Sequence, residues 1–131
     1  MWNPVAERNL PLLLRITGVA TMGGAVLFLA PTLALNLIGM AVGDDTGRFF
    51  VRHWGMLVGC IGALMVYSAG RPALQMPVLC VATAEKLALV LMVVLGAGQP
   101  ALAGLRPAAA FDLLCVLLYS AVLWRRAGAR A

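Results

Sequence analysis

Charge is scarce in this sequence: only 11% of its 131 residues are Asp, Glu, Lys or Arg. Soluble domains carry about 25% charged residues, and about 45–50% apolar ones. Here 63% fall in the set AVILMFWYC, and the mean hydropathy is +0.96. A soluble domain of this composition would not have the polar side chains to cover its surface. Histidine is nearly absent, with His53 the single example. A bis-histidine haem site within one chain is therefore excluded. The cysteines Cys60, Cys80 and Cys115 stand apart inside apolar runs. No CxxC pair exists, which removes the local signature of thiol redox chemistry and of zinc, and no metal or cofactor is expected. The sequence also has no Gly-rich phosphate loop, no HExxH and no GxSxG.

What is present is a set of four apolar runs, at about 12–30, 49–69, 77–95 and 108–124. A hydrocarbon core of about 30 Å needs about 20 apolar residues in a helix. Backbone groups in lipid must bond within their own segment, so the runs are expected to be helices rather than strands. The runs do not alternate in polarity, which argues against a membrane β-barrel. Gly70–Met76 and Gly96–Pro107 are short links, so sequential helices should be antiparallel neighbours. The expected fold is all-α: a four-helix transmembrane bundle, up-down-up-down, forming one integral membrane domain over 1–131. The first run is too long for the h-region of a signal peptide, and Arg15 interrupts its front, so it is read as a retained span. The stretch Thr32–Val42 is still apolar around Asn36. It is expected either to extend the first helix past Pro31 or to lie in the interface as a short helix.

The net charge of +5 comes from ten Lys and Arg against five Asp and Glu. The basic residues sit mostly at the ends of the apolar runs, which fits membrane orientation better than nucleic acid. Arg8, Arg15, Arg71, Arg125, Arg126 and Arg130 fall on the side of both termini. Arg48, Arg52 and Arg106 fall on the other. This bias puts both termini in the cytoplasm, with Trp2 and Trp124 as interfacial anchors. Abundant Ala, Gly, Leu, Val and Arg with a single Lys points to a GC-rich bacterial genome, and so to a multi-pass protein of the bacterial inner membrane.

Small residues at helical spacing mark packing faces. Gly55, Gly59 and Ala63 form one, with Gly62 beside them, and Ala20 and Gly24 form another, with Gly18 and Gly23 near. These faces serve the bundle itself, a homo-oligomer or a larger membrane-protein complex.

Ionisable residues inside a span cost about 2.5–3.5 kcal/mol each on insertion scales, so they mark candidate sites. Glu85 and Lys86 lie mid-way along the third run. Adjacent residues differ by about 100° around a helix, so each is expected to seek a partner on a different neighbouring helix or in a water-filled cavity. His53 and Asp112 begin the second and fourth runs at similar depth, so a His–Asp contact across the bundle is open to them. Arg52 crowds the same mouth. Together these five residues suggest a polar cavity with Glu85 or Lys86 at its floor. Such a cavity suits a small amphipathic ligand, protons, or a quinone or sterol-like headgroup.

Leu14-Arg15-Ile16-Thr17-Gly18, the pair Gly23-Gly24 and the apolar stretch to Ala30-Pro31 resemble the first helix of the DoxX-like four-helix membrane proteins. Arg52-His53-Trp54-Gly55 and Glu85-Lys86 are similar to that pattern as well. The resemblance implies a four-helix bundle and, by its studied members, a place as a subunit of redox complexes or as an assembly factor.

Three functions remain open on these grounds. The first is a non-catalytic accessory or interaction subunit, or a binder of a small lipophilic ligand within the bundle, because almost no mass lies outside the bilayer. The second is an enzyme or redox subunit acting on a quinone-like or lipid substrate through His53, Asp112 and Glu85. The third is a proton or ion pathway through Glu85 and Lys86.

Overall fold

The computed structural model describes residues 4–128, with side chains from residue 9 onward. Trp2 and Arg130 lie outside the described residues. The helices are α1 (Pro4–Met22), α2 (Val26–Leu29), α3 (Pro31–Leu37), α4 (Asp45–Ser68), α5 (Pro72–Leu95) and α6 (Arg106–Gly128). A 3-10 turn, Gly23–Ala25, joins α1 to α2, and a second, Pro100–Leu105, leads into α6. The described residues contain no strand. Four helical stretches are long and apolar enough to cross a membrane: Asn9–Leu29, Asp45–Ser68, Pro72–Leu95 and Pro100–Gly128.

The helix ends follow local chemistry. Asp44 caps α4, its Oδ1 accepting from the Gly47 amide, and Asp45 puts a negative charge at the positive end of the helix dipole. Pro31 and Pro72 each open a helix, where the missing amide hydrogen is no loss. For Pro72 this corrects the expected link: the turn before α5 is only Ala69–Arg71, and the helix runs through Pro77. Ala30, at φ −140° and ψ 68°, leaves the helical conformation before Pro31. Thr32–Val42 thus does not prolong the first helix; α3 is a separate short helix. It ends at Gly39, whose φ of +69° favours glycine.

Close approach of α1–α2 to α4 is made by glycine. A methyl group on Gly62 would stand 2.7 Å from the Gly18 carbonyl oxygen, and one on Gly59 would stand 2.9 Å from the Ala25 Cβ. A methyl group on Gly55 would stand 2.6 Å from the Leu27 Cβ, with the Gly24 carbonyl oxygen 3.0 Å away. Position rises on one strand of this seam as it falls on the other, so α1–α2 and α4 are antiparallel. Gly24, Gly55 and Gly59 lie on this seam. Ala63 and Ala20 do not, since both are exposed. The seam turns from Gly59 to Gly62 instead, because a helix advances about 3.6 residues per turn and a strict four-residue step drifts off the contact line.

The α5–α6 pair is tied mid-way along α5, by Lys86 to Asp112, and at its start, by Gln75 to Arg126. That order makes them antiparallel too. Gln75 also donates to the Ala69 carbonyl, binding the start of α5 to the end of α4.

Polarity is arranged inside out relative to a water-soluble protein. Thr17, Thr21, Ser68, Gln75, Lys86 and Asp112 are buried, while Leu29, Leu37, Leu95 and Trp124 are three-quarters exposed or more. Such a surface is matched to lipid tails. The buried hydroxyls bond within their helices: Thr17 to the Leu13 carbonyl, Thr21 to the Thr17 carbonyl and Ser68 to the Met65 carbonyl. One apolar core, built on Leu10, Leu14, Met65, Leu79, Cys115 and Tyr119, fills the end of the bundle near the Ser68–Pro72 turn. A smaller one, Leu27 with Ala34 and Leu35, closes the opposite end against Trp54.

Candidate functional site

Between the two apolar cores lies a cluster of three ionisable side chains. The Lys86 ammonium donates to Asp112 Oδ1 at 2.6 Å and stands 3.9 Å from Glu85 Oε2. Lys86 is 2% exposed, and its ammonium also faces the Phe111 ring, 5.3 Å from its centre. A buried ammonium without a partner is too costly to retain, so the short Asp112 bond is what holds the charge there. Asp112 reaches it because Asp112, Cys115, Val116 and Tyr119 share the buried face of α6.

Glu85 and Lys86 do not turn to different neighbouring helices. The long, flexible lysine side chain swings back, and both residues line one cavity. Glu85 nonetheless gains no hydrogen bond there: its Oε2 is buried without a partner. Among the described residues it is the one buried side-chain oxygen or nitrogen so left.

The cavity has a volume of about 340 Å³. Its walls come from every span: Thr21 and Leu27 on the first, Trp54 on α4, Leu89 on α5 and Phe111 on α6. Leu37 of α3 and Leu105 of the second 3-10 turn form its roof. Glu85, Lys86 and Asp112 are its only ionisable lining residues. The two roof segments touch at Gly104, where a methyl group would overlap the Ile38 carbonyl oxygen and stand 2.8 Å from Met40.

His53 and Arg52 lie elsewhere. They line an outward-facing groove with Phe28, Phe49 and Arg48. His53 is exposed and stacks on Phe49, with ring centres 6.3 Å apart. Asp112 is in the inner cavity, bonded to Lys86, so the His–Asp contact does not form. The reason is helical phase: the Gly55–Gly59–Gly62 seam turns that face of α4 toward α1, and His53 falls on the lipid side. No group of three His, Cys, Asp or Glu side chains among the described residues converges in a way that would hold a metal ion.

Sequence reasoning missed two parts of the site. Phe111 and Thr21 looked like ordinary apolar and hydroxyl positions. The link from the Tyr119 hydroxyl to Thr17 Oγ1, at 2.6 Å, joins residues 102 apart and had no local signal. The spacing 112, 115, 119 on α6 was the available clue, since it puts three polar groups on one face. Against protein-family models, curated proteins and solved structures, the chain has no match.

Proposed function

We propose that this chain is a multi-pass inner-membrane protein, with both termini cytoplasmic, that binds a small lipophilic ligand inside its own helix bundle. The observation carrying the reading is the Glu85 oxygen left without a hydrogen bond beside an apolar cavity of about 340 Å³. Ligand cavities are commonly about 300–1,000 Å³, mainly apolar, with few polar groups to fix orientation. A buried acceptor without a donor costs about 1–3 kcal/mol. A ligand hydroxyl or amine placed against Glu85 removes that cost, while the apolar walls take its hydrocarbon part. Two carboxylates around one ammonium leave the cluster one negative charge in excess when all three are ionised. The favoured headgroup is therefore a donor, neutral or cationic, and not an anion.

A non-catalytic role is supported by the separation of His53 from Asp112. An acid–base pair needs both groups within reach of one substrate, at about 2.6–3.2 Å or through one water. These two line different cavities. A binding role is favoured over a proton pathway by the packed core beyond the cluster. There Tyr119 donates to Thr17, and Thr17 donates to the Leu13 carbonyl, an acceptor that passes no proton on.

Purification in a mild detergent, followed by native mass spectrometry and lipid extraction, tests the proposal. The wild-type chain should carry a lipophilic molecule in stoichiometric amount, and Glu85→Gln should reduce its occupancy about tenfold, the factor given by 1.4 kcal/mol. A chain that purifies without a small molecule but with a larger protein would overturn it in favour of the accessory-subunit reading.

A further inference from the structure

A second site lies on the outside of the bundle, in the groove between α2 and the first two turns of α4. Its volume is about 630 Å³. Arg48 and Arg52 stand one helical turn apart along it, with His53 beside them. Arg48 pairs with Asp45 at 2.7 Å. Arg52 has no carboxylate within ion-pair distance among the described residues; its guanidinium lies over the Phe28 ring at 5.5 Å. The groove thus carries a net positive charge with apolar walls, Phe28 and Phe49, on either side. This is the reverse of the inner cavity, which holds two carboxyl groups to one ammonium.

Depth decides what can neutralise it. Arg52 lies seven residues into α4, roughly 10 Å along the axis at about 1.5 Å per residue. α4 has 24 residues, longer than the about 20 that a hydrocarbon core needs. Its first turn therefore stands in the headgroup layer, and Arg52 sits where a long side chain reaches that layer from the margin of the hydrocarbon. A guanidinium at that level, without a protein carboxylate, meets lipid phosphates first. Arg forms paired hydrogen bonds with phosphate oxygens.

We propose that the groove is a binding site for one anionic phospholipid. Its phosphate bridges Arg48 and Arg52, and its acyl chain runs down the Phe28–Phe49 wall. The lipid competes with Asp45 for Arg48 and leaves the cation–aromatic contact of Arg52 in place.

Native mass spectrometry of the full chain, released from nanodiscs of phosphatidylcholine with a minor fraction of phosphatidylglycerol, tests this. The wild type should retain phosphatidylglycerol in preference to phosphatidylcholine. Arg48→Gln with Arg52→Gln should lower that retention by about tenfold or more, the factor given by 1.4 kcal/mol. Both side chains are exposed, so circular dichroism should show an unchanged fold. The double lysine variant keeps the charges without the planar fork and should fall between the two. Glu85→Gln should leave the preference intact, which separates this site from the inner cavity. Equal retention of the two lipids, an unaffected double glutamine variant, or displacement of the lipid by millimolar inorganic phosphate would each overturn the proposal.

Discussion

Replacing Lys86 by Met is the sharpest test of the buried cluster. The substitution keeps the stem volume and removes the one cation that faces both Glu85 and Asp112. Breaking a buried ion pair from one side costs about 3–5 kcal/mol, because the remaining charge is stranded. Coulomb attraction falls inversely with distance. With Asp112 at 2.6 Å and Glu85 at 3.9 Å, Asp112 supplies roughly three-fifths of the attraction on the ammonium. Asp112→Asn removes that share but leaves Glu85 to move in. It should therefore cost less than Lys86→Met, about 2 kcal/mol, and Glu85→Gln less still, about 1 kcal/mol or below. Replacing both partners, Lys86→Met with Asp112→Leu, should recover part of the loss, since only the Glu85 carboxylate is then left without its cation. Denaturation in detergent micelles, followed by helical circular dichroism, measures the series. The reasoning fails if Lys86→Met costs less than about 1 kcal/mol, or if Asp112→Asn costs more than Lys86→Met.

Other outcomes follow from particular contacts. Gly62→Val should destabilise the bundle by about 1–3 kcal/mol through overpacking, while Ala63→Val next to it should fall within about 0.5 kcal/mol of wild type, as read by the same denaturation. Tyr119→Phe removes one buried hydrogen bond and should cost about 1 kcal/mol without altering what binds in the cavity. Gly104→Val forces the two roof segments apart, so the bound lipophilic molecule should be lost faster on detergent washing, with helix content unchanged.

The four spans were legible because length and apolarity suffice to define a membrane helix, whatever its neighbours are. The seam was legible only in part. Gly55, Gly59 and Gly24 belong to it, but the choice between Gly62 and Ala63 depends on how helical phase accumulates along a crossing. The ionisable residues were recognisable individually, by the cost of placing Glu85, Lys86 and Asp112 in lipid. Their grouping was not. Neighbours in sequence were expected to diverge, yet lysine's four-carbon stem lets its charge leave the direction of its own Cβ. His53 shows the opposite failure. Its contact with Asp112 was inferred from topology, but contact also needs both side chains on inward faces, and the packing of three glycines fixed that face of α4. The Tyr119–Thr17 bond spans nearly the whole chain and depends on the assembled bundle.

The Lys86–Asp112 pair also bears on how the chain enters the bilayer. Its members are 26 residues apart, on consecutive helices joined by one connection. Each charge alone penalises insertion of its helix by about 2.5–3.5 kcal/mol. Inserted as a hairpin, the two helices cancel much of that penalty before α1 and α4 have docked. The α5–α6 hairpin thus carries its own counter-ion, and its entry is favoured as a unit. A chain ending between Leu95 and Arg106 would leave Lys86 without its closest partner.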